Sequence, residues 1–149
     1  MNTKIIAFIC IVCFSLGTSF AQTTTSEADS FQFGNPEHFL DGYILNFQYQ
    51  NGTAIHMEFY NGKAKYEWVS GSAKGRGNAD IPYRSLKLGS DMYLVNWHEK
   101  GLSDYLTIVF DFDKMLIHSS IIIGYKNKAE RPTKTVFLTG FIDHLDRKD

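Results

Sequence analysis

Cysteine is almost missing from this chain of 149 residues: the two present, Cys10 and Cys13, stand close together near the start. No disulfide framework, thiolate metal site or catalytic thiol can be built downstream of them. Proline is also scarce, at three residues, which leaves long stretches free to donate ladder hydrogen bonds. Neither sign of charge dominates: 15 Lys and Arg face 16 Asp and Glu, for a net charge of -1. A nucleic-acid binder needs a basic surface, so that class falls away. The five histidines (His38, His56, His98, His118, His144) form neither H-x-H nor H-E-x-x-H, and their spacing gives no designed metal site. G-x-S-x-G is absent too. What is abundant is aromatic: 12 Phe and 8 Tyr favour sheet over helix. With 44% hydrophobic and 21% charged residues, the composition is globular.

Residues 1–21 read as a secretory signal peptide. Met1 to Lys4 is a short basic opening, Ile5 to Leu16 an apolar stretch, and Ser19-Phe20-Ala21 a small-x-small cleavage site before Gln22. The stretch is too short and wrongly flanked to remain as a membrane anchor. Neither Cys10 nor Cys13 follows a small residue, which discounts a lipid-modified cysteine. The expectation is an exported protein, periplasmic or secreted, with no membrane span after cleavage. Removing 21 of the 149 residues leaves 128, and loss of Lys4 takes the net charge to -2. Such a chain lacks cysteine and must hold itself by its core, which is feasible because a chain of this size buries roughly two thirds of its surface.

Residues 22–34, with the run TTTSEADS, read as a flexible lead-in. Residues 35–149 read as one domain. Asn35-Pro36-Glu37 has the cap, first-turn proline and acid of a helix start, cut short by Gly42. From Tyr43 the period becomes two. Tyr43, Leu45, Phe47 and Tyr49 share a face; Ile55, Met57 and Phe59 share one in Thr53 to Tyr60; Ala64, Tyr66 and Trp68 share one in Lys63 to Ser70. Asn51-Gly52 and Asn61-Gly62 are hairpin turns, so these strands run up and down. A Gly-rich loop, Gly71 to Asn78, follows. Ile81 to Leu88 is a strand in which Pro82 marks an edge or bulge. Met92 to Glu99 carries Tyr93, Val95, Trp97 and Glu99 on one face, and Leu102 to Phe112 carries Leu106, Ile108, Phe110 and Phe112. Met115 to Tyr125 and Lys134 to Ile142 complete the set, joined by the charged loop Lys126 to Arg131.

About eight antiparallel strands with tight turns predict an all-β fold. Closure removes exposed edges, so an up-and-down barrel is favoured over a sandwich. A barrel of that size has room for side chains or one small ligand.

Three residues could carry chemistry inside it. Glu99 shares its face with Trp97, and a carboxyl among aromatics is desolvated and suited to acid or base work. The competing reading is a wet strand end. Arg76, between glycines in Lys74-Gly75-Arg76-Gly77, could hold a carboxylate bidentately over the barrel mouth, or be an ordinary solvated loop residue. An inward Tyr49 would donate to a ligand or merely fill core. No cofactor motif is present.

Taken in order, Phe39-x-x-Gly42, Phe47-Gln-Tyr49-Gln-Asn-Gly52, Tyr66-x-x-x-Ser70-Gly71, Gly75-Arg76 and Met92-Tyr93-x-Val95-x-Trp97-x-Glu99 resemble phenolic acid decarboxylases. Those are small lipocalin-like, or calycin, barrels. Tyr93 to Gly101, followed by Leu106-Thr-Ile-Val-Phe-Asp111, also resembles the MoaF domain, which shares that barrel. The decarboxylase resemblance implies a cofactor-free reaction on 4-hydroxycinnamic acids. It implies that Tyr49 and Arg76 hold the substrate carboxylate and that Glu99 handles a proton. Phe47 stands where the pattern has a first tyrosine, which removes a hydrogen bond to a charged group worth about 1.5–3 kcal/mol. It also makes the pocket more apolar, which suits binding of an aromatic molecule.

The function expected is therefore an exported, MoaF-like barrel binding a small aromatic or apolar, acidic molecule, without a cofactor. Tyr43, Phe47, Tyr49, Tyr66, Trp68, Tyr93 and Trp97 would line its pocket, with Arg76 and Glu99 as polar anchors. The alternative is a cofactor-free carboxy-lyase using Tyr49, Arg76 and Glu99. A small molecule is the expected partner, and a homodimer is an assembly the sequence allows. A MoaF likeness alone carries no role in molybdenum metabolism, since fold does not fix function.

Overall fold

The computed structural model describes residues 37–126 and 133–148. The signal peptide, the lead-in, the helix cap at Asn35 and Pro36, and residues 127–131 of the charged loop lie outside that range. Eight strands follow one another: β1 Tyr43–Tyr49, β2 Ala54–Tyr60, β3 Lys63–Trp68, β4 Gly77–Lys87, β5 Met92–Glu99, β6 Asp104–Asp111, β7 Leu116–Ile123 and β8 Lys134–Arg147. Each pairs antiparallel with the next, and β8 pairs back onto β1, closing an up-and-down barrel.

The alternation of the sequence becomes the inner and outer walls. Leu45, Phe47 and Tyr49 of β1 are buried, as are Ile55, Met57 and Phe59 of β2 and Tyr93, Val95, Trp97 and Glu99 of β5. The two Asn-Gly turns differ. Asn61 (φ +49°) and Gly62 (φ +72°) both take left-handed backbone and join β2 to β3 in a two-residue primed turn. At the other, only Gly52 does so (φ +80°), and its N–H donates to the Tyr49 carbonyl at 2.9 Å. Gln50 and Asn51 are therefore the centre of that turn, one residue earlier than the dipeptide alone suggests.

The expected short helix is not formed by Glu37 to Gly42. Glu37 instead makes an isolated antiparallel bridge to Ser85, whose N–H donates to the Glu37 carbonyl at 3.0 Å. The Phe39 N–H donates to Ser85 Oγ at 2.9 Å. So short a helix does not repay its nucleation, whereas a turn buries Leu40 completely beneath the barrel end. β4 begins at Gly77, before the expected Ile81, and takes a bulge at Asp80 (φ +55°), two residues before Pro82. β8 runs five residues past the expected Ile142, because those residues pair with the first half of β1.

Gly140 makes that closure possible. It faces Tyr49 across the β1–β8 seam, and a Cβ there would come 2.2 Å from the Gln48 carbonyl oxygen. Side chains pack one end of the interior: the rings of Phe59, Tyr83, Tyr93, Phe110 and Phe112 meet over Leu40. Asp41 pins this end by accepting from the Gly62 N–H and, at 2.9 Å, from the Tyr83 hydroxyl. Burial and the Asp41 carboxylate together push the Tyr83 phenol upward.

Candidate functional site

The opposite end, which carries the β1–β2, β3–β4 and β5–β6 connections, holds a hollow. Phe47, Tyr49, Tyr66, Trp68 and Trp97 surround it with Ile55, Met57, Leu106, Ile108 and Ile121. Its volume is about 40 Å³. Since one water needs about 10–15 Å³ on this measure, it takes about three waters, or one compact apolar group. Tyr66, Trp68, Leu106 and Ile121 are half-buried and form the rim.

Glu99, Tyr66, Tyr49 and Ser119 bring polar groups into or beside this hollow. Glu99 is 4% exposed, at the inner end of β5. The Tyr66 hydroxyl donates to its Oε2 at 3.0 Å, and the Trp97 indole N–H to its Oε1 at 3.3 Å. Each carboxylate oxygen thus has one donor from a residue that also lines the hollow. Burial, and then the Glu99 charge, raise the Tyr66 phenol above its ordinary value, while the Arg76 charge works the other way. Deeper in, the Tyr49 hydroxyl meets Ser119 Oγ at 2.6 Å, both residues being 3% exposed. Ser119 belongs to β7, and β8 lies between it and β1. Tyr49 stands opposite Gly140 of β8, and its side chain reaches past that strand to Ser119. Burial pushes the Tyr49 phenol up to about 12, against the smaller opposing effect of the Ser119 hydrogen bond.

The residues singled out in the sequence divide into three groups. Phe47, Tyr49, Tyr66, Trp68 and Trp97 share the hollow, and Glu99 hangs from two of them. Tyr43 and Tyr93 lie elsewhere: both pack on Phe112 at the filled end, with the Arg147 guanidinium over the Tyr43 ring and the Lys87 ammonium over Tyr93. Arg76 is exposed on the β3–β4 loop, where its carbonyl accepts from the Trp68 N–H at 2.9 Å. Its charge is felt at Tyr66, but among the described residues it forms no ion pair. Ser119 escapes a reading of the sequence, although its inward position between Ile117 and Ile121 follows from alternation. Among the described residues no group of three or more His, Cys, Asp or Glu is placed to hold a metal ion.

Residues 36–145 match the MoaF C-terminal domain. The chain belongs to this family. In this MoaF-family barrel the match takes in the end turn, all but the last two residues of β8, and every residue of the hollow. A solved structure described as "a putative beta-lactamase from Burkholderia vietnamiensis" shares the fold, with a TM-score of 0.57 at 15% identity over 69% of this chain and 92% of that one. At that identity the likeness concerns the fold alone. No curated protein matches the sequence.

Proposed function

We propose that this MoaF-family barrel is an exported binding module that takes a small aromatic or apolar ligand, bearing an acidic group, into its hollow. The observation that carries the reading is the contrast between the two ends. One end is filled by rings packed over Leu40, while the other keeps an apolar hollow ringed by Phe47, Tyr49, Tyr66, Trp68 and Trp97. Burying one apolar group there contributes about 1.5–3 kcal/mol, enough for weak, selective binding. Arg76, exposed beside the rim, is the anchor for the ligand's acid. Solvent screening keeps that contact to about 1 kcal/mol or less, so it tunes affinity by a few-fold.

The test is titration with small aromatic acids while following fluorescence of Trp68 and Trp97. Saturable quenching is expected, with affinity for acids falling a few-fold in Arg76→Ala and that for neutral aromatics unchanged. Absence of saturable binding refutes the reading. Export is supported by the leader pattern of residues 1–21; it predicts a product of the native cell beginning at Gln22 in the exported fraction.

The Glu99 constellation favours a second reading, a cofactor-free carboxy-lyase on phenolic acids. A carboxyl with both oxygens held at the edge of an apolar hollow suits proton transfer to a bound side chain. Loss of the cinnamate absorbance of p-coumaric acid, abolished by Glu99→Gln, would establish it. Unchanged absorbance with saturable binding leaves the binding module.

A further inference from the structure

Tyr49 lines the hollow, and its buried hydroxyl is paired with that of Ser119. Two hydroxyls carry two hydrogens, and one lies between the two oxygens whichever group donates. The second hydrogen has no acceptor: among the described residues neither oxygen has another hydrogen-bond partner. Among the other side chains that line the hollow, the one hydroxyl is that of Tyr66, which is engaged with Glu99, and Phe47, Ile55, Met57, Leu106, Ile108 and Ile121 present carbon and one thioether. That hydrogen is available to a ligand atom.

We propose that the Tyr49–Ser119 pair reads the buried tip of the ligand, donating its one spare O–H to a neutral oxygen acceptor, a carbonyl above all. This rests on the hollow being a ligand site, and it names which end of the ligand enters. The pair offers a single hydrogen and no cation. An ionised carboxylate needs several donors once stripped of water, so it is refused here and turns outward to Arg76. A carbonyl needs one donor. The phenol, raised to about 12 by burial, stays protonated and able to donate at every physiological pH. Phe47, whose ring lies 5.3 Å from that of Tyr49, adds no second donor.

Three compounds with the same number of non-hydrogen atoms test this: cyclopentanone, methylenecyclopentane and cyclopropanecarboxylate, titrated into the purified protein by NMR. The ketone and the alkene differ only in the acceptor. Both are expected to bind, and the ketone's affinity relative to the alkene's should fall about tenfold in Tyr49→Phe/Ser119→Ala, where the carbonyl is buried unpaired. The carboxylate should bind more weakly than either. A second measurement needs no variant: the infrared carbonyl stretch of ketone bound to the wild type should lie below its position in cyclohexane. An unchanged ratio, an unshifted stretch, or tighter binding of the carboxylate overturns the assignment. If none of the three binds the wild type, the ligand-hollow reading itself falls and takes this assignment with it.

Discussion

Replacing Tyr49 by phenylalanine should make the protein less stable at neutral pH and more stable in alkali. At pH 8 the variant loses the 2.6 Å bond to Ser119 and leaves that hydroxyl buried without a partner. A lost bond of this kind costs about 1 kcal/mol. The alkaline limb has the opposite sign. The folded phenol titrates at about 12, against about 10 in the unfolded chain. A folded pKa raised above the unfolded one contributes stability that is fully present below pH 10 and is lost as pH climbs toward the folded value. The contribution declines by about 1.4 kcal/mol by pH 11 and by at most about 2.7 kcal/mol in all. Phenylalanine has no proton to lose. The wild type, about 1 kcal/mol ahead at pH 8, should therefore draw level near pH 11 and fall behind above it. Urea unfolding followed by tryptophan fluorescence at pH 8, 10, 11 and 11.5 measures both chains. Tyr66 and Tyr83 are raised in the same direction, but they are common to both proteins and cancel in the difference. A stability gap that stays constant from pH 8 to 11 would refute the burial argument for Tyr49.

Three further outcomes follow from single contacts. Gly140→Ala should destabilise by more than about 2 kcal/mol in urea unfolding, because its Cβ meets the Gln48 carbonyl oxygen at 2.2 Å and backbone cannot step aside as a side chain would; a loss under about 0.5 kcal/mol would contradict a tight β1–β8 seam. Glu99→Gln keeps the side chain's shape but turns an amide N–H2 toward one of the two donors, Tyr66 or Trp97, and should cost about 1–3 kcal/mol at pH 7. Asn61→Val forces a branched residue into φ +49° and should lower stability by about 1–2 kcal/mol, whereas Asn61→Gly should leave it within about 0.5 kcal/mol.

The parts of the fold legible in the sequence are those where period two runs unbroken. β5 is the clearest: Met92–Glu99 alternates through all its residues, so its bounds and the inward turn of Glu99 are both readable. β8 resists because the alternation breaks. Asn46 pairs with His144 but Phe47 with Ile142, so Asp143 is an extra residue, and the pattern beyond it looks like a tail. Tyr43 and Tyr93 show the other limit. They share faces with Tyr49 and Trp97, yet pack at the far end. Alternation specifies which wall a side chain leaves, whereas its height inside a barrel depends on the stagger of neighbouring strands. Ser119 is hidden for a third reason: its importance lies in a partner on β1, 70 residues earlier, brought within reach by barrel closure.

The placement of polar groups bears on the proposal that the hollow is a binding site. At the filled end the buried Tyr83 phenol is answered by Asp41, while His38 Nδ1, beside the Tyr83 ring, is buried without a partner among the described residues. At the other end the barrel buries a carboxyl at Glu99 and a surplus hydroxyl hydrogen at Tyr49–Ser119 beside unfilled apolar space. The unfilled space departs from the rule for a stable core, where cavities cost stability, and the buried carboxyl is kept by its two donors. Apolar space left open beside a held carboxyl supports the proposal of a binding function, since a barrel of this size could have been filled.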